Sequence, residues 1–154
     1  MRRRRAEKRE IAPDPVYNSE VVAKFINIIM LDGKKSVAMN VVYDALEELK
    51  EKHNEDAVKV FNKALDNIRP RLIVKSRRIG GATYQVPTEI TKEKGFLIAM
   101  RWIRDTARAK KGKGIARCLV DELGNAYKNE GSLVKKRDDT HKMAEANRAF
   151  AHFK

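Results

Sequence analysis

The sequence predicts a mainly α-helical fold: a six-helix bundle with one inserted β-hairpin arm and a disordered basic N-terminal arm. Apolar residues recur at helical spacing in six stretches of the 154-residue chain. Between the third and fourth stretches, two runs rich in β-branched and aromatic residues flank a Gly-Gly pair. The first twelve residues are mostly charged and show no periodicity. We therefore expect a basic arm over residues 1–12 and a single helical domain over residues 13–154.

The first three helices are predicted before the hairpin. Helix one is expected to begin at an Asn18 or Ser19 cap and to stop at residues 32–33, where a glycine can end a helix. Ser36 is expected to cap helix two, which extends to about residue 52. A third helix is predicted from about 56 to 68, where a proline two residues later prevents its continuation.

The hairpin is predicted from strands at about 72–79 and 82–87. The Gly80-Gly81 pair between them readily adopts the positive φ angles of a two-residue turn. This turn sets three cross-strand pairs: Arg77 with Tyr84, Lys75 with Val86, and Arg78 with Thr83. Because an isolated hairpin is marginal in water, we expect its order to depend on a polyanion outside the protein. An extended eight-residue arm reaches roughly 25 Å.

Three further helices are predicted after the hairpin. Helix four is expected from about residue 92 or 93 to 109, with Leu97, Met100 and Ile103 facing inward. The linker over 110–114 is too rich in glycine and charge to be helical. Helix five is expected over about 115–129 and helix six over about 135–153.

The charge is strongly positive and unevenly distributed. The formal net charge is +13, with net +4 over 1–12, +5 over 69–94 and +6 over 101–117, whereas residues 39–66 carry net −3. Several basic regions and one acidic region are typical of nucleic-acid-binding proteins. Basic runs can also be no more than solvated faces, but their recurrence along the chain favours binding.

Helix four carries a basic ridge. Arg101, Arg104, Arg108 and Lys111 fall within roughly an 80° arc at 100° per residue. Like charges on one arc repel unless an anion compensates them, so the ridge favours a phosphate backbone. Trp102 lies beside the ridge; a core position is expected for it, and stacking on a nucleic-acid base is the alternative.

The sequence predicts no catalytic residue, metal site or cofactor. Residues 33–36 read Gly-Lys-Lys-Ser, like the tail of a phosphate-binding loop, but the required earlier glycine is Ile28. The three histidines are too scattered for metal ligation with one cysteine. The single cysteine, Cys118, excludes an intramolecular disulfide and fits a reducing, cytoplasmic setting. No membrane span or signal peptide is expected.

Four motifs carry a family resemblance. They are MLDGKKS over 30–36, VKSRRIGGATYQVP over 74–87, AMRW over 99–102 and VKKRDDTHKMAEANRAFAHF over 134–153. From about residue 12 onward the chain resembles the bacterial ribosomal small-subunit protein seven family. That resemblance implies a six-helix domain with a hairpin arm. It also implies a primary binder of small-subunit ribosomal RNA that nucleates head assembly, near exit-site transfer RNA and the messenger path, beside small-subunit proteins nine and eleven.

The resemblance implies site residues by position. The residues expected to bind ribosomal RNA are Arg2, Arg3, Arg4, Arg5, Lys8, Arg9, Lys34, Lys35, Lys75, Arg77, Arg78, Arg101, Arg104, Arg108, Lys110, Lys111, Lys113, Arg117, Lys135, Lys136 and Arg137. Those expected near transfer RNA are Arg78, Gly80, Gly81, Ala82, Thr83, Tyr84 and Arg148. Residues 91–95 depart from the family's arginine- and proline-rich pattern, so no RNA contact is assigned there. No homo-oligomer is expected.

Two other functional classes compete with this interpretation. A DNA-binding regulator needs a recognition helix and usually a dimer surface. Basic patches spread along the chain instead suit a protein surrounded by folded RNA. An RNA-modifying enzyme needs a nucleophile, a base or a cofactor loop, and the sequence offers none of these.

Overall fold

The computed structural model describes residues 6–7 and 9–153, and the expected fold class is confirmed within them. The arginine run and residue 8 of the expected disordered arm lie outside the described residues, and 9–12 form neither helix nor strand. The elements are α1 (Glu20–Ile29), α2 (Lys35–His53), α3 (Ala57–Ile68), β1 (Leu72–Ile79), β2 (Ala82–Glu89), α4 (Lys92–Ala109), α5 (Ile115–Tyr127), α6 (Ser132–Ala146) and a C-terminal 3₁₀ helix (Arg148–Phe153). None of the described helices has the length and apolar character needed to cross a membrane.

Helix α5 lies at the centre of the core and packs against α2, α3 and α4. Its residues Leu119, Leu123 and Ala126 are almost completely buried. At about 0.8 kcal/mol per buried methylene group, the two leucine side chains each contribute about 1.5–3 kcal/mol to folding. Phe25 of α1 and Phe61 of α3 meet with ring centroids 5.0 Å apart. The helices therefore share one continuous core.

Two helices end earlier than the sequence predicted. Helix α1 ends at Ile29 because Met30, with φ of −55° and ψ of 139°, leaves the helical conformation. Asp32 and Gly33, with φ of 52° and 74°, form a left-handed turn further along the chain. Helix α5 ends at Tyr127 rather than 129, since Asn129 adopts a φ of 61°. At the end of α5, the positive φ of Asn129 breaks the helical hydrogen-bond ladder.

The expected Ser36 cap is wrong. Helix α2 begins at Lys35, so Ser36 lies inside its first turn and Lys34 takes the cap position without a side-chain cap bond. The turn before α2 supplies backbone acceptors instead. The Lys34 amide donates to the Leu31 carbonyl at 2.9 Å, and the Lys35 amide donates to the Gly33 carbonyl at 2.8 Å.

The prediction for the last helix was wrong at both ends. Helix α6 begins three residues early, after Gly131 with a φ of 94°. It ends at Ala146 because Asn147 turns both its backbone amide and its side-chain amide onto the Met143 carbonyl, at 3.2 and 2.8 Å. The chain then continues as the 3₁₀ helix instead of the expected α-helix.

The hairpin register is confirmed. Arg77 pairs with Tyr84, Lys75 with Val86, and Arg78 with Thr83. Gly80 and Gly81 have φ of 57° and 89°, as a two-residue turn between twisted strands requires. Strand β2 extends two residues beyond the expected end, because Leu72 and Ile73 also find partners in it.

The expectation that the hairpin takes its order from an outside polyanion is wrong for its inner half. Val86 is fully buried, and Tyr84 is half-buried with its ring 5.4 Å from that of Phe150 in the 3₁₀ helix. At the start of the hairpin, the Arg71 amide donates to Nε2 of His141 on α6 at 2.9 Å. Helix α6 and the 3₁₀ helix therefore hold the hairpin within the protein itself.

A buried carboxylate fixes the segment that enters α1. Asp14 is 3% exposed and accepts hydrogen bonds from the Val16 and Tyr17 amides at 3.1 and 3.0 Å and from the Tyr43 hydroxyl at 2.7 Å. Burial and the Asp14 hydrogen bond raise the pKa of Tyr43 to about 12. The N-terminal segment is thereby tied to α2.

Replacing Asp14 by Ala should lower the free energy of unfolding by about 1–3 kcal/mol, because three part-buried hydrogen bonds lose their acceptor. Asp44→Ala is the matched control, since Asp44 is exposed on α2 beside Tyr43. Urea titration of both variants measures the difference. Equal unfolding midpoints for Asp14→Ala and the parent would contradict the assignment.

The His141 contact predicts a pH dependence. Burial, followed by the charge of Arg137, lowers the pKa of His141 from 6.5. Neutral Nε2 accepts the Arg71 amide, and the unfolded chain binds the proton more readily. The stabilisation is therefore fully present above pH 6.5 and is lost as the pH falls through the lowered pKa of the folded protein.

We expect the melting temperature of the parent to fall more between pH 7.5 and 5.5 than that of His141→Gln, whose side-chain oxygen accepts without titrating. The other two histidines are present in both proteins, so their contributions cancel in the comparison. Parallel pH profiles of the two proteins would refute the proposed contribution of His141.

Candidate nucleic-acid interface

The turn between α1 and α2 lies beside the end of α4. Lys34 and Arg108 line the same groove, which has a volume of about 240 Å³ and is otherwise mostly apolar, with the acidic Asp32 also in its lining. The Arg108 Nη2 donates to the Ile29 carbonyl at 2.9 Å, so this guanidinium also completes the end of α1. Lys35 is exposed at the same turn. The structure thus joins two predicted basic segments that lie far apart in sequence.

The ridge on α4 is not a row of equivalent cations. Arg101 and Lys111 are exposed. Arg104 is half-buried and pairs with its neighbour Asp105, with Nη2 and Oδ1 2.7 Å apart. Among the described residues, no hydrogen bond or ion pair engages the side chain of Arg101 or Lys111. These two residues are therefore the ridge cations most available to phosphate, whereas Arg104 and Arg108 also make internal contacts.

The linker after α4 is held against α5 by its lysines. Lys110 Nζ lies 2.6 Å from Oε1 of Glu122, a side chain only 5% exposed. The hydrogen bond to Glu122 raises the pKa of Lys110 in spite of its partial desolvation. Lys113 pairs with Asp121 at 3.2 Å, and Arg117 on α5 is exposed. These ion pairs bring the linker backbone close to α5.

Helix α6 contributes three of the predicted cations in three different environments. Arg137 donates to the Asn67 carbonyl and to Oδ1 of Asn129, so it links α6 to α3 and to the turn after α5. Lys136 places Nζ 5.2 Å from the ring centroid of Trp102. Lys135 is exposed. Arg137 therefore has a structural role that its sequence position did not reveal.

Trp102 is half-buried and packs against the core, as the core interpretation predicted. Its contact with Lys136 joins α4 to α6. The ring thus helps to set the spacing between the ridge on α4 and the cations of α6.

The hairpin presents its cations on both faces. Side chains alternate along a strand, so Arg77 shares a face with Tyr84, whereas Arg78 lies on the other face with Thr83. Lys75, Arg77 and Arg78 are all exposed. The turn and the residues beside it, up to Thr83, are exposed as well.

Sequence reasoning omitted one cation beside the hairpin. Arg71 is exposed and shares a cleft of about 440 Å³ with Arg148, the residue expected near transfer RNA. Glu89 and Glu145 also line this cleft, so its charge is mixed. The position of Arg71 directly before β1 was the available signal. Of the predicted N-terminal cations, Arg9 is exposed, and the other five lie outside the described residues.

The acidic region forms a separate surface near the junction of α2 and α3. Glu47, Glu51, Glu55 and Asp56 line it together with Lys50. The negative charge of this surface disfavours phosphate there. Within the described part of the chain, no group of three or more histidine, cysteine or acidic side chains is arranged to hold a metal ion.

Comparison with known proteins agrees with this arrangement. The family model for ribosomal protein S7p/S5e matches residues 1–148. The chain is similar to the small ribosomal subunit protein uS7 of Fervidobacterium nodosum, with 54% identity over 100% of this chain and 99% of the relative. The protein of the same name from Geotalea uraniireducens is 57% identical over 99% and 98% of the two chains. The chain therefore belongs to the ribosomal protein S7p/S5e family and is a structural, non-enzymatic constituent of the small ribosomal subunit.

Proposed function

We propose that this chain binds small-subunit ribosomal RNA directly as a primary binder and nucleates assembly of the head of the subunit. The observation that carries the proposal is the set of exposed cations on separate elements: Lys34 and Lys35 before α2, Arg101 on α4, Lys111 in the linker and Lys135 on α6. Folded RNA can reach several such elements at once, whereas a single groove of DNA reaches one. The net charge of +13 provides the favourable electrostatic free energy.

The hairpin tip is proposed to lie near exit-site transfer RNA and the messenger path. Its exposed Arg78 and glycine turn permit a close approach of the backbone to a phosphate chain. Arg148 lines the cleft at the base of the hairpin, together with Arg71. Small-subunit proteins nine and eleven are proposed as neighbours on the basis of the family resemblance.

RNA binding should be driven mainly by phosphate contacts. With about eight neutralised phosphates, fourfold more salt should weaken binding by roughly three to four decades. The double variant Arg101→Gln, Lys111→Gln should lower the slope of log affinity against log salt by about 1.4 to 1.8. Filter binding with a structured fragment of small-subunit ribosomal RNA measures both slopes, and equimolar duplex DNA tests the competing DNA-binding function.

The matched control is Lys50→Gln, Lys59→Gln, which removes the same charge from exposed positions on α2 and α3. If the control weakens binding as much as the double variant, net charge alone explains the effect. Arg108 is left unchanged, because its guanidinium also donates to the Ile29 carbonyl. Its replacement would change the end of α1 as well as the charge. An unchanged salt slope in the double variant would exclude the ridge from the interface.

Shortening the hairpin should separate assembly from transfer-RNA binding. Replacing residues 78–83 by Gly-Gly keeps the Arg77 and Tyr84 pair in register and retains buried Val86. We expect this variant to fold and enter small subunits, because the cations on the other elements remain. Exit-site transfer RNA should dissociate faster from reconstituted subunits that contain it.

Two measurements on the same particles decide this prediction: the fraction of subunits assembled, and the retention of exit-site transfer RNA. The shortened variant loses both the charge of Arg78 and part of the length of the tip. The single variant Arg78→Gln removes the charge alone, so it separates the two effects on transfer-RNA retention. Retention equal to that of the parent would remove the proposed role of the tip. Failure of a folded variant to assemble would assign the tip to the ribosomal RNA interface.

A further inference from the structure

The hairpin is supported part-way along its length, not only where it leaves the domain. Tyr84, Val86 and Thr88 occupy one face of β2, since alternate residues of a strand share a face. Val86 is fully buried, and Tyr84 is half-buried although its neighbours Thr83 and Gln85 are exposed. The protein therefore covers this face of the strand at a point close to the tip.

The support for Tyr84 comes from the C-terminal 3₁₀ helix. The rings of Tyr84 and Phe150 have centroids 5.4 Å apart and an interplanar angle of 50°, a favourable tilted geometry. The 3₁₀ helix follows α6 directly, and Asn147 between them bonds the Met143 carbonyl of α6 twice. Phe150 is therefore attached to the domain through α6 and contacts the hairpin from a fixed position.

The contact between Tyr84 and Phe150 shortens the unsupported segment at the end of the hairpin. From Tyr84 to the turn the chain spans three residues, or roughly 10 Å, whereas from Val86 it spans five, or roughly 17 Å. A shorter unsupported length gives a smaller displacement of the tip for the same bending at its base. Residues 78–83 are then the part that extends beyond the contact.

The contact also bears on how Tyr84 acts. An aromatic ring such as that of Tyr84 can stack on a base only when a ring surface is open to RNA. In the structure, Phe150 already packs against that ring. The ring therefore supports the strand, and the exposed residues from Arg78 to Thr83 are left to meet RNA.

We infer that Phe150 is a positioning residue, which packs against Tyr84 and fixes the direction of the hairpin so that its tip meets the transfer-RNA backbone at a defined place. This inference rests on the proposed role of the tip at the exit site. It assigns the C-terminal 3₁₀ helix a function in transfer-RNA retention without any direct contact with RNA.

The direct test measures the direction of the hairpin in the free, full-length protein. Spin labels at Thr83→Cys and Lys128→Cys, both exposed positions, report the distance from the tip to the end of α5. The native Cys118 is buried and remains unlabelled. Phe150→Ala should broaden the distance distribution, and Phe150→Tyr, which keeps the ring, should restore it. Met143→Ala is the matched control, because it removes an exposed apolar side chain from α6.

The functional test measures exit-site transfer RNA on reconstituted small subunits. Phe150→Ala should shorten its residence about two- to tenfold, the range that corresponds to one aromatic pair. Tyr84→Ala should have a similar effect, and the double variant should be no worse than either single variant, because both changes remove one contact. Circular dichroism and the fraction of subunits assembled verify that each variant is folded.

The outcomes separate the two proposals. An unchanged distance distribution in Phe150→Ala overturns the positioning role, whatever the tip does. The positioning role is also overturned if Phe150→Ala broadens the distance distribution but retains transfer RNA as well as the parent does. This outcome counts only if the variant with the shortened tip loses transfer RNA. If the shortened tip itself retains transfer RNA fully, the exit-site role of the tip fails, and the label distances still decide whether Phe150 sets the direction of the hairpin.

Discussion

The packing of α5 against three other helices is the interaction on which the rest of the structure depends. Leu119, Leu123 and Ala126 are buried between α2, α3 and α4. The basic linker precedes α5, and α6 with its cations follows it. Both flanking segments are also tied near α5, the linker through Lys110 and Glu122, and α6 through Arg137. A displacement of α5 would therefore move cations at both of its ends, so the core determines the spacing of the charged surfaces.

Local rules explain why much of the fold was predictable from the sequence. The Gly80-Gly81 turn fixed every cross-strand pair, because a two-residue turn leaves one register. Helical periodicity identified all six helices and located α3 and α4 to within about one residue, but it misplaced the ends of α1 and α5 and both ends of α6. Helix α6 ends where the Asn147 amide competes for the Met143 carbonyl, and α2 begins at Lys35 because backbone turn bonds replace the expected Ser36 cap. Such choices depend on the local hydrogen-bond geometry, which a periodicity pattern does not contain.

The candidate interface was less predictable, since a cation has the same sequence signature whether it faces RNA or the protein. Arg108 bonds the carbonyl of a residue 79 positions away, and Arg137 one that lies 70 positions away. Their charge and helical spacing matched those of Arg101, which is exposed. Only the tertiary fold distinguishes the guanidiniums that complete helix ends from those left to bind phosphate. The contact between Tyr84 and Phe150 could not be predicted from the sequence either. The sequence predicted an α-helix at Phe150, which lies in a 3₁₀ helix in the structure.

The segregation of charge gives the protein a preferred orientation toward RNA before any contact forms. The acidic surface near the junction of α2 and α3 repels phosphate, whereas the linker and the α1–α2 turn attract it. Screening limits this steering to about 8–10 Å at ordinary ionic strength, so it acts on the final approach. Internal pairing does not cancel the attraction, because the 34 basic residues exceed the 21 acidic ones and the excess must find its counter-charge outside the chain. Under the proposed function, one RNA contacts the turn, the linker and α6 together, which requires a folded RNA because these cations lie on separate elements.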